Sequence, residues 1–427
     1  MATLPTTTRQ ETPATVALRN FKTQWFLVPQ GTGIIAVILH QLKYQFTGLN
    51  IISYIFWLLT IISLTLLLAI FALKIVIFPK VVANSLRTEI GETACLSSIS
   101  ITFTSIIEMM DLSLVGAWGK GWGIATLVLW WINAAMAIVS CIGITYVFMK
   151  YEAPGVRGLT PVANLPVIAA LTAAAGGGVL CRYGELDEGF QVPVIIVSYL
   201  LIGMALPIAF AVATIFMARL FDQSSPAGTT LYQDMILCGP WGQGSFALQI
   251  LGEVVTRGSF AKYQQGVFLT LGAAGPVGFA SMFGGLLAWG HGTFWWVFAI
   301  ISVLHSGFNK RGEWRGLHFG LGAWSLVFPW GVYTNACVQL GKLLDSPAFS
   351  VWSAILAITL VIIWIVNMVL TTKGLITGKL VGLEHGWGGE AYKRHQIEKG
   401  QSNGTVDQRP VTGLHNRVPK EPPASVE

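Results

Sequence analysis

Long apolar stretches recur along the whole chain, and they limit what it can fold into more than any other feature. The first begins at about residue 25 and the last covers about 349–371. About 20 apolar residues are needed to cross a bilayer as a helix. Only 11% of the residues are charged and the mean hydropathy is +0.64, whereas soluble domains have about a quarter of their residues charged. The sequence therefore predicts an all-α polytopic membrane protein.

Ten spans are predicted, and one of them decides the topology. The stretch 264–308 has 45 residues and is interrupted by Gly275-Pro276 and Gly290-His291-Gly292, so it could form one broken span or two. Lys and Arg accumulate in cytoplasmic loops, and one broken span places 20 of the 26 basic residues inside. We therefore expect ten helices with both termini cytoplasmic. The predicted spans are 25–42, 49–77, 92–115, 121–149, 160–181, 190–219, 230–256, 264–308, 317–341 and 349–371.

Three regions follow from these spans. Residues 1–24 are polar and form a predicted cytoplasmic tail, and residues 25–371 form a ten-helix transport domain. Residues 372–427 form a second cytoplasmic tail. Its composition after about residue 400 is that of a largely disordered segment.

Glycine and proline are concentrated in the odd-numbered spans. The clearest case is FGLGAWSLVFPWGVYTNA, residues 319–336, which is apolar but carries a proline and three glycines. Interrupted helices are tolerated in membranes only where protein or a water-filled cavity satisfies the freed backbone groups. This pattern favours central odd helices around a pathway, although each glycine could instead serve close helix packing.

Four stretches carry a family resemblance: PQGTGIIAVILHQLKY (29–44), GPWGQGSFALQILG (239–252), FWWVFAIIS (294–302) and AWSLVFPWGVYTNACVQLG (323–341). They resemble the tellurite-resistance/dicarboxylate transporter family, which includes plant slow-type anion channels, and within it the fungal sulfite efflux pumps. The resemblance covers residues 21 to about 380. It implies five helical hairpins around a central anion pore lined by the odd helices, and assembly as a homo-oligomer, a trimer in relatives.

The resemblance also implies a gate. In the anion-channel relatives a phenylalanine directly before a proline blocks the pore, and the matching residues are Phe328 and Pro329. A kink at Pro329 would turn the ring toward the pore axis. The alternative is a phenylalanine packed between helices.

Small polar groups and exposed backbone amides can replace the hydration of an anion at moderate cost. The predicted pore or anion-binding residues lie on odd helices, where each could instead form an interhelical hydrogen bond. The set of residues around Gly242 is the strongest candidate, because glycine and amide coincide there. The candidates are Thr32, Asn164, Gly242, Gln243, Gly244, Ser245, Gln249 and Thr334.

Two carboxylates are harder to explain in an anion pathway. Glu108 and Asp111 lie three residues apart on one helical face, and intramembrane carboxylates are usually functional. They could neutralise Arg182 at the extracellular end of the fifth span, or carry a proton together with the anion. Both roles remain open from the sequence.

Other function classes find little support. The seven histidines show no metal-ligand spacing, and no nucleotide-binding motif is present, so we expect no enzyme activity, metal or cofactor. The net charge of +6 follows from the cytoplasmic basic residues and requires no nucleic acid. The sequence favours a plasma-membrane exporter of sulfite or hydrogensulfite. The alternatives are a proton-coupled transporter of malate or another small dicarboxylate and, from a different class, a receptor or scaffold without flux.

Overall fold

The computed structural model describes residues 12–223, 229–308, 312–314, 316–317, 319–383 and 386–387. Within them the chain is helical, with two isolated β-bridges. Ten long helices, named α1 to α10, are Leu27–Gln41, Leu49–Ile77, Ser97–Trp118, Lys120–Val139, Leu165–Tyr183, Glu188–Gln223, Gly239–Val254, Leu271–Ser306, Val327–Leu343 and Pro347–Ile376. Short helices include Pro13–Arg19, Pro79–Thr88 and Ile90–Cys95. Residues 1–11 and 388–427 of the predicted tails and the basic residues Lys310, Arg311 and Arg315 lie outside the described residues.

Among the described residues, seven helices are long and apolar enough to cross a membrane: α2, α3, α4, α5, α6, α8 and α10, several of them together with short adjoining segments. The remaining long helices, α1, α7 and α9, have 15 to 17 residues. They are shorter because 3₁₀ turns precede them. The all-α membrane architecture predicted from the apolar stretches is therefore present.

The stretch 264–308 forms one helix, α8, from Leu271 to Ser306. Pro276 is its sixth residue, near enough to the start that the helix continues past it. The Gly290-His291-Gly292 sequence also stays helical, and Gly292 packs against Trp241 of α7. The structure therefore contains a single helix where the sequence allowed two.

Five helices form a closed ring of contacts, and they are the buried ones. Each of α1, α3, α5, α7 and α9 packs against the next, and α9 packs back against α1. The other five pack outside, since α2, α4, α6, α8 and α10 each contact the preceding ring helix. The span Pro161–Tyr183, which contains α5, is fully buried, whereas the outer span Leu49–Ile77 is 17% buried. We call the first five the inner helices.

Four inner helices begin with a 3₁₀ segment: Thr23–Phe26 before α1, Pro161–Asn164 before α5, Thr229–Cys238 before α7 and Leu321–Leu326 before α9. Pro29, Pro166, Pro240 and Pro329 follow as the second or third residue of the α-helix. A proline in the first turn costs little, because the N–H group that it lacks would have no helical partner there. Pro329 therefore stands at a change from 3₁₀ to α geometry rather than in the middle of an α-helix.

Glycines allow the inner helices to approach one another at every interface of the ring. Gly31 packs against Val327, Gly33 against Ser105, Gly176 against Thr104, Gly178 against Ile250, and Gly242 against the backbone of Tyr333. Small residues have this role in many membrane helix pairs, where packing replaces the hydrophobic effect as the driving force. Close packing, the alternative left open by the sequence, thus accounts for these five glycines.

Replacing Gly242 by Ala should destabilise the protein. The new Cβ would lie 2.7 Å from the Tyr333 amide nitrogen, and backbone cannot move aside as a flexible side chain can. We expect a loss of about 1–3 kcal/mol, typical of overpacking, measured as a lower melting temperature in detergent. Gly203→Ala in α6 is the control, because nothing lies within 4 Å of that position. Equal stability of the two variants would contradict this packing account.

Candidate functional site

The contacts of α9 define which way Phe328 points. Trp330 faces outward, since its Nε1–H donates to the carbonyl of Leu356 on α10 at 3.1 Å. Phe328, two residues earlier, lies about 200° away around a helix with 3.6 residues per turn. Its side chain, 2% exposed, therefore faces the interior of the ring. Asn335, seven residues later, shares that face.

Gln243 of α7 lies near the same interior. Gly239 contacts both Ile168 of α5 and Pro329 of α9, so its face of the helix points between those two neighbours. Gln243 follows one turn later on that face. Because Pro329 is adjacent to Phe328, Phe328 lies at about the level of Gly239. Gln243 therefore lies about one helical turn beyond the phenylalanine ring along the interior.

Gln30 and Glu108 take equivalent positions on α1 and α3. Thr32 faces outward to α10, because it accepts a hydrogen bond from Trp364 Nε1 at 3.0 Å, and Gln30 lies two residues before it on the opposite face. On α3, Glu108 lies beside Gly176 of α5, while Ser105, three residues earlier, lies beside Gly33 of α1. Glu108 thus belongs to the face between the two neighbouring inner helices.

Each inner helix or its preceding turn supplies at least one buried polar side chain with an unsatisfied atom, and Asp111 of α3 and Gln249 of α7 are further examples. Within the described part of the chain, these atoms have no hydrogen-bond partner: Gln30 Oε1, Glu108 Oε1, both amide atoms of Asn164, Gln243 Oε1 and both amide atoms of Asn335. All five side chains are at most 2% exposed. We call them the inner polar set. Buried polar atoms normally find a partner in protein or water, so five such groups on the inner helices indicate an interior that takes up water or a polar ligand.

Other predicted pathway residues have partners elsewhere. Ser245 donates to the carbonyl of Gly285 on α8 at 2.6 Å, and Gln249 Nε2 donates to Ser245. Gly244 packs against Leu206 of α6. Thr334 donates to the carbonyl of Trp330 in its own helix. Thr32, Gly242, Gly244 and Ser245 thus contact neighbouring helices, and Thr334 bonds within its own helix. Asn164, Gln243 and the Oε1 atom of Gln249 keep unsatisfied polar atoms. The two groups differ in which face of the helix they occupy.

Arg182 does not pair with Glu108 or Asp111. Its Nε lies 3.1 Å from Glu253 Oε1 at the end of α7. The physical reason is position: Arg182 and Glu253 occupy the C-terminal ends of adjacent inner helices, whereas Glu108 lies deeper, beside Gly176. Both carboxylate oxygens of Asp111 lack a hydrogen-bond partner among the described residues. The ion-pair role predicted for the two acids is therefore replaced by an Arg182–Glu253 pair.

Glu253 is the centre of a larger polar cluster. Arg257, one turn later, lies 2.5 Å from Glu253 Oε1, and Gln339 Nε2 of α9 donates to Oε2 at 2.7 Å. Lys342 Nζ of α9 donates to Gln41 Oε1 of α1 at 3.3 Å. We call these groups with Arg182 the outer cluster. It connects the C-terminal ends of four inner helices.

Sequence reasoning missed Glu253, Gln339, Asn335, Gln30, Arg257 and Lys342. The signal for Glu253 was present, because Arg257 follows it by four residues and Arg182 ends the neighbouring inner span. Asn335 lies seven residues after Phe328, which places it on the same face. Gln339 had no comparable signal. No group of His, Cys, Asp and Glu capable of holding a metal ion occurs within the residues described.

Taken together, the site combines an apolar side chain, Phe328, with neutral amides and one deep acid, and it places charge at one end. Amide N–H groups can replace part of the hydration of an anion without binding it tightly. The geometry thus suits the passage or binding of a small anion rather than bond-making chemistry.

Comparison with known proteins agrees with this geometry. The family described as voltage-dependent anion channel (SLAC1) matches residues 20–372. A sulfite efflux pump of Arthroderma benhamiae is 29% identical over 86% of this chain and 93% of its own length. A malic acid transport protein of Schizosaccharomyces pombe is 23% identical over 97% of this chain and 89% of its own. The sulfite efflux pump of Saccharomyces cerevisiae is 21% identical over 73% of this chain. The chain belongs to the voltage-dependent anion channel (SLAC1) family, the tellurite-resistance/dicarboxylate transporter family that its motifs resemble.

Proposed function

We propose that this protein exports small anions across the plasma membrane, with sulfite or hydrogensulfite as the transported ion. The observation that carries the proposal is the inner polar set. Each inner helix or its preceding turn contributes at least one buried polar group with an atom that lacks a protein partner, which is the arrangement expected if an anion and its water pass between the helices. Family membership and the printed names of the sulfite efflux relatives support the same function.

The proposed architecture has ten spans arranged as five hairpins around a central pore. The closed ring of inner helices, each covered by the outer helix that follows it in sequence, supports this arrangement. Both termini would be cytoplasmic, as the distribution of basic residues favours. In that orientation the C-terminal ends of the inner helices, and with them the outer cluster, face the cell exterior. Assembly as a trimer is proposed from the family resemblance alone.

Phe328 is the proposed gate. Its aromatic side chain faces the interior enclosed by the five inner helices. It lies beside Pro329, which contacts Gly239 of α7. Backbone and side chains from α1, α7 and α9 therefore converge at the level of this phenylalanine, since Gly31 of α1 packs against the neighbouring Val327. An aromatic ring where these three helices converge would block an ion until the ring rotates away.

Sulfite is favoured over a dicarboxylate by the charge distribution. A dicarboxylate would be held best by two separated sets of donors or by a cation within the pathway. The inner polar set instead offers neutral amides and a single acid, and the arginines lie at the end of the ring in the outer cluster. A compact ion with one or two charges fits that distribution better.

Proton-coupled transport of malate is the second candidate, and Glu108 is the observation that favours it. Glu108 Oε1 has no partner among the described residues and the side chain is 2% exposed. A carboxylate in that position would oppose an anion when ionised but could accompany it when protonated. The relative named a malic acid transport protein makes this alternative specific.

Phe328→Ala should raise the flux of sulfite per folded molecule severalfold in proteoliposomes at a fixed gradient, because removing the ring opens the interior while the backbone stays unchanged. Phe216→Ala on the outer helix α6 is the control. That side chain is also buried, at 1% exposure, so truncation should cost stability, typically about 3–5 kcal/mol in soluble cores, without a gain in flux. Unchanged or lower flux for Phe328→Ala would leave the residue as packing.

Glu108→Gln tests the second candidate through the pH dependence of transport. If Glu108 carries the proton, the inward flux of malate through the wild-type protein should rise as the external pH falls. This pH dependence should disappear in the Glu108→Gln variant. Asp345→Asn is the matched control, because Asp345 is exposed and pairs with Lys43 at 3.5 Å. Wild-type flux independent of pH, or pH dependence that survives in Glu108→Gln, would exclude proton coupling through this residue.

The topology has its own test. A protease site inserted after Gln265, between α7 and α8, should be cut when protease is added to intact cells, because that segment is extracellular in the proposed arrangement. A tag at the C-terminus should stay intact under the same conditions, since positive residues hold the tail inside. Cleavage of the tag would require an odd number of spans.

A further inference from the structure

The outer cluster holds more positive charge than its single carboxylate balances. Arg182 and Arg257 both contact Glu253, and Lys342 lies within electrostatic range of Glu253 and Arg182. Two cations thus contact one acid at the end of the inner helices, and a third lies in their neighbourhood. Such a surplus attracts anions, and the low-dielectric helices around it strengthen the attraction.

Glu253 is held as a bound anion would be. One carboxylate oxygen accepts from Arg182 and Arg257, and the other accepts from the amide of Gln339. The side chain of Glu253 is 16% exposed, against 27% for Arg182. Guanidinium and amide donors arranged around two carboxylate oxygens also match the oxygens of a small oxyanion.

The position of the cluster connects it with the interior of the ring. Gln339 lies four residues, about one turn, beyond Asn335 of the inner polar set on α9. Glu253 of α7 reaches Gln339 across the interface between the two helices. An anion that leaves the inner polar set toward the C-terminal ends of the helices therefore meets these donors next.

Space for an anion exists beside the cluster. A cavity of about 180 Å³ is lined by Arg182, Arg257, Lys262, Ser259 and the acid Glu188, among other residues, and it adjoins Glu253 and Gln339 through Arg182 and Arg257 without being lined by them. One water occupies about 30 Å³ in the liquid, so the cavity can hold a small oxyanion with a few waters. Lys262 is itself engaged by Glu188 at 2.6 Å.

We propose that the outer cluster is an anion-binding site that Glu253 occupies as an internal substitute, and that a transported oxyanion displaces it. The incoming ion takes the donors of Arg182 and Gln339, while Glu253 keeps its contact with Arg257 in its own helix. The displaced carboxylate is then never left unpaired, which is strongly unfavourable for a charge away from water. This inference rests on the proposed anion transport and adds the exit site.

Binding of sodium sulfite to purified full-length protein tests the site. The dissociation constant is read from the thermal shift in detergent, with sodium gluconate holding the ionic strength constant. Glu253→Gln removes the competing charge and should tighten sulfite binding about threefold to tenfold, the scale of a partly exposed ion pair. Asp345→Asn removes an acid at the same end of the molecule outside the cluster and should change binding less than about twofold.

Arg257→Gln should have the opposite effect, because the displaced Glu253 loses its second partner and sulfite binds more weakly. Arg257 is 55% exposed, so this variant should fold even if Glu253→Gln does not. In the combined Glu253→Gln, Arg257→Gln protein, the loss of sulfite affinity caused by Arg257→Gln should disappear, because position 253 no longer carries a carboxylate that needs a partner. A loss that persists in the double variant, or a Glu253→Gln protein that binds sulfite no more tightly than wild type, would overturn the proposal. Binding is measured without a gradient, so a result that contradicts the anion site can be distinguished from an absence of sulfite transport.

Discussion

A polypeptide in hydrocarbon must satisfy its own backbone hydrogen bonds, and the arrangement of this chain depends on that requirement. The outer helix α2 runs for 29 residues without glycine or proline, as a helix facing lipid should. The changes from 3₁₀ to α geometry occur at the starts of α1, α5, α7 and α9. Those four belong to the ring that the outer helices cover. These four 3₁₀ starts thus lie in helices shielded from lipid, whereas the irregular backbone of the outer helices consists of π-helical turns after α4, at Ser140–Ile144 and Phe148–Glu152, and internal prolines in α6 and α8.

The same shielding makes polar side chains possible in the interior. An unpaired buried amide typically costs about 1–3 kcal/mol, and the inner polar set contains several such groups. The cost disappears if water or an anion occupies the interior. Phe328 faces the same interior and offers no hydrogen bond, so in the proposed pathway it is an apolar barrier next to polar groups. Stability therefore favours a hydrated interior, which the proposed gate would interrupt.

Much of the fold could be predicted from the sequence because the signals were local. Span length and loop charge gave the helices and resolved 264–308 as a single element, α8. The glycine and proline pattern identified the inner helices, but these residues have a different physical role from the predicted interruption of the helices. Glycines such as Gly242 serve close packing, and Pro329 starts an α-helix rather than bending one. Composition marks where helices are irregular without specifying the geometry.

The site was harder to predict because it depends on which face of each helix points inward. Ser245 and Gln243 are two residues apart, yet Ser245 donates to α8 while Gln243 keeps an unsatisfied oxygen. Only the neighbours of each helix distinguish them. The partner of Arg182 could not be predicted for the same reason. The span ends indicate which residues lie at a similar depth in the membrane, but the choice of Glu253 over Glu108 depends on the contact between α5 and α7.

The distribution of charge along the ring follows from what a transported anion requires. A cation deep in the interior would hold an anion too tightly to release it, because Coulomb attraction rises several-fold in a low dielectric. The inner polar set meets this demand with amides, and the arginines lie at the end of the helices, where water screens them. Glu108 is the one ionisable member of the set. Its position beside Gly176 of α5 places a repulsive charge on the anion's route unless a proton neutralises it, and this makes Glu108 the residue on which the choice between simple anion flow and proton-coupled transport depends.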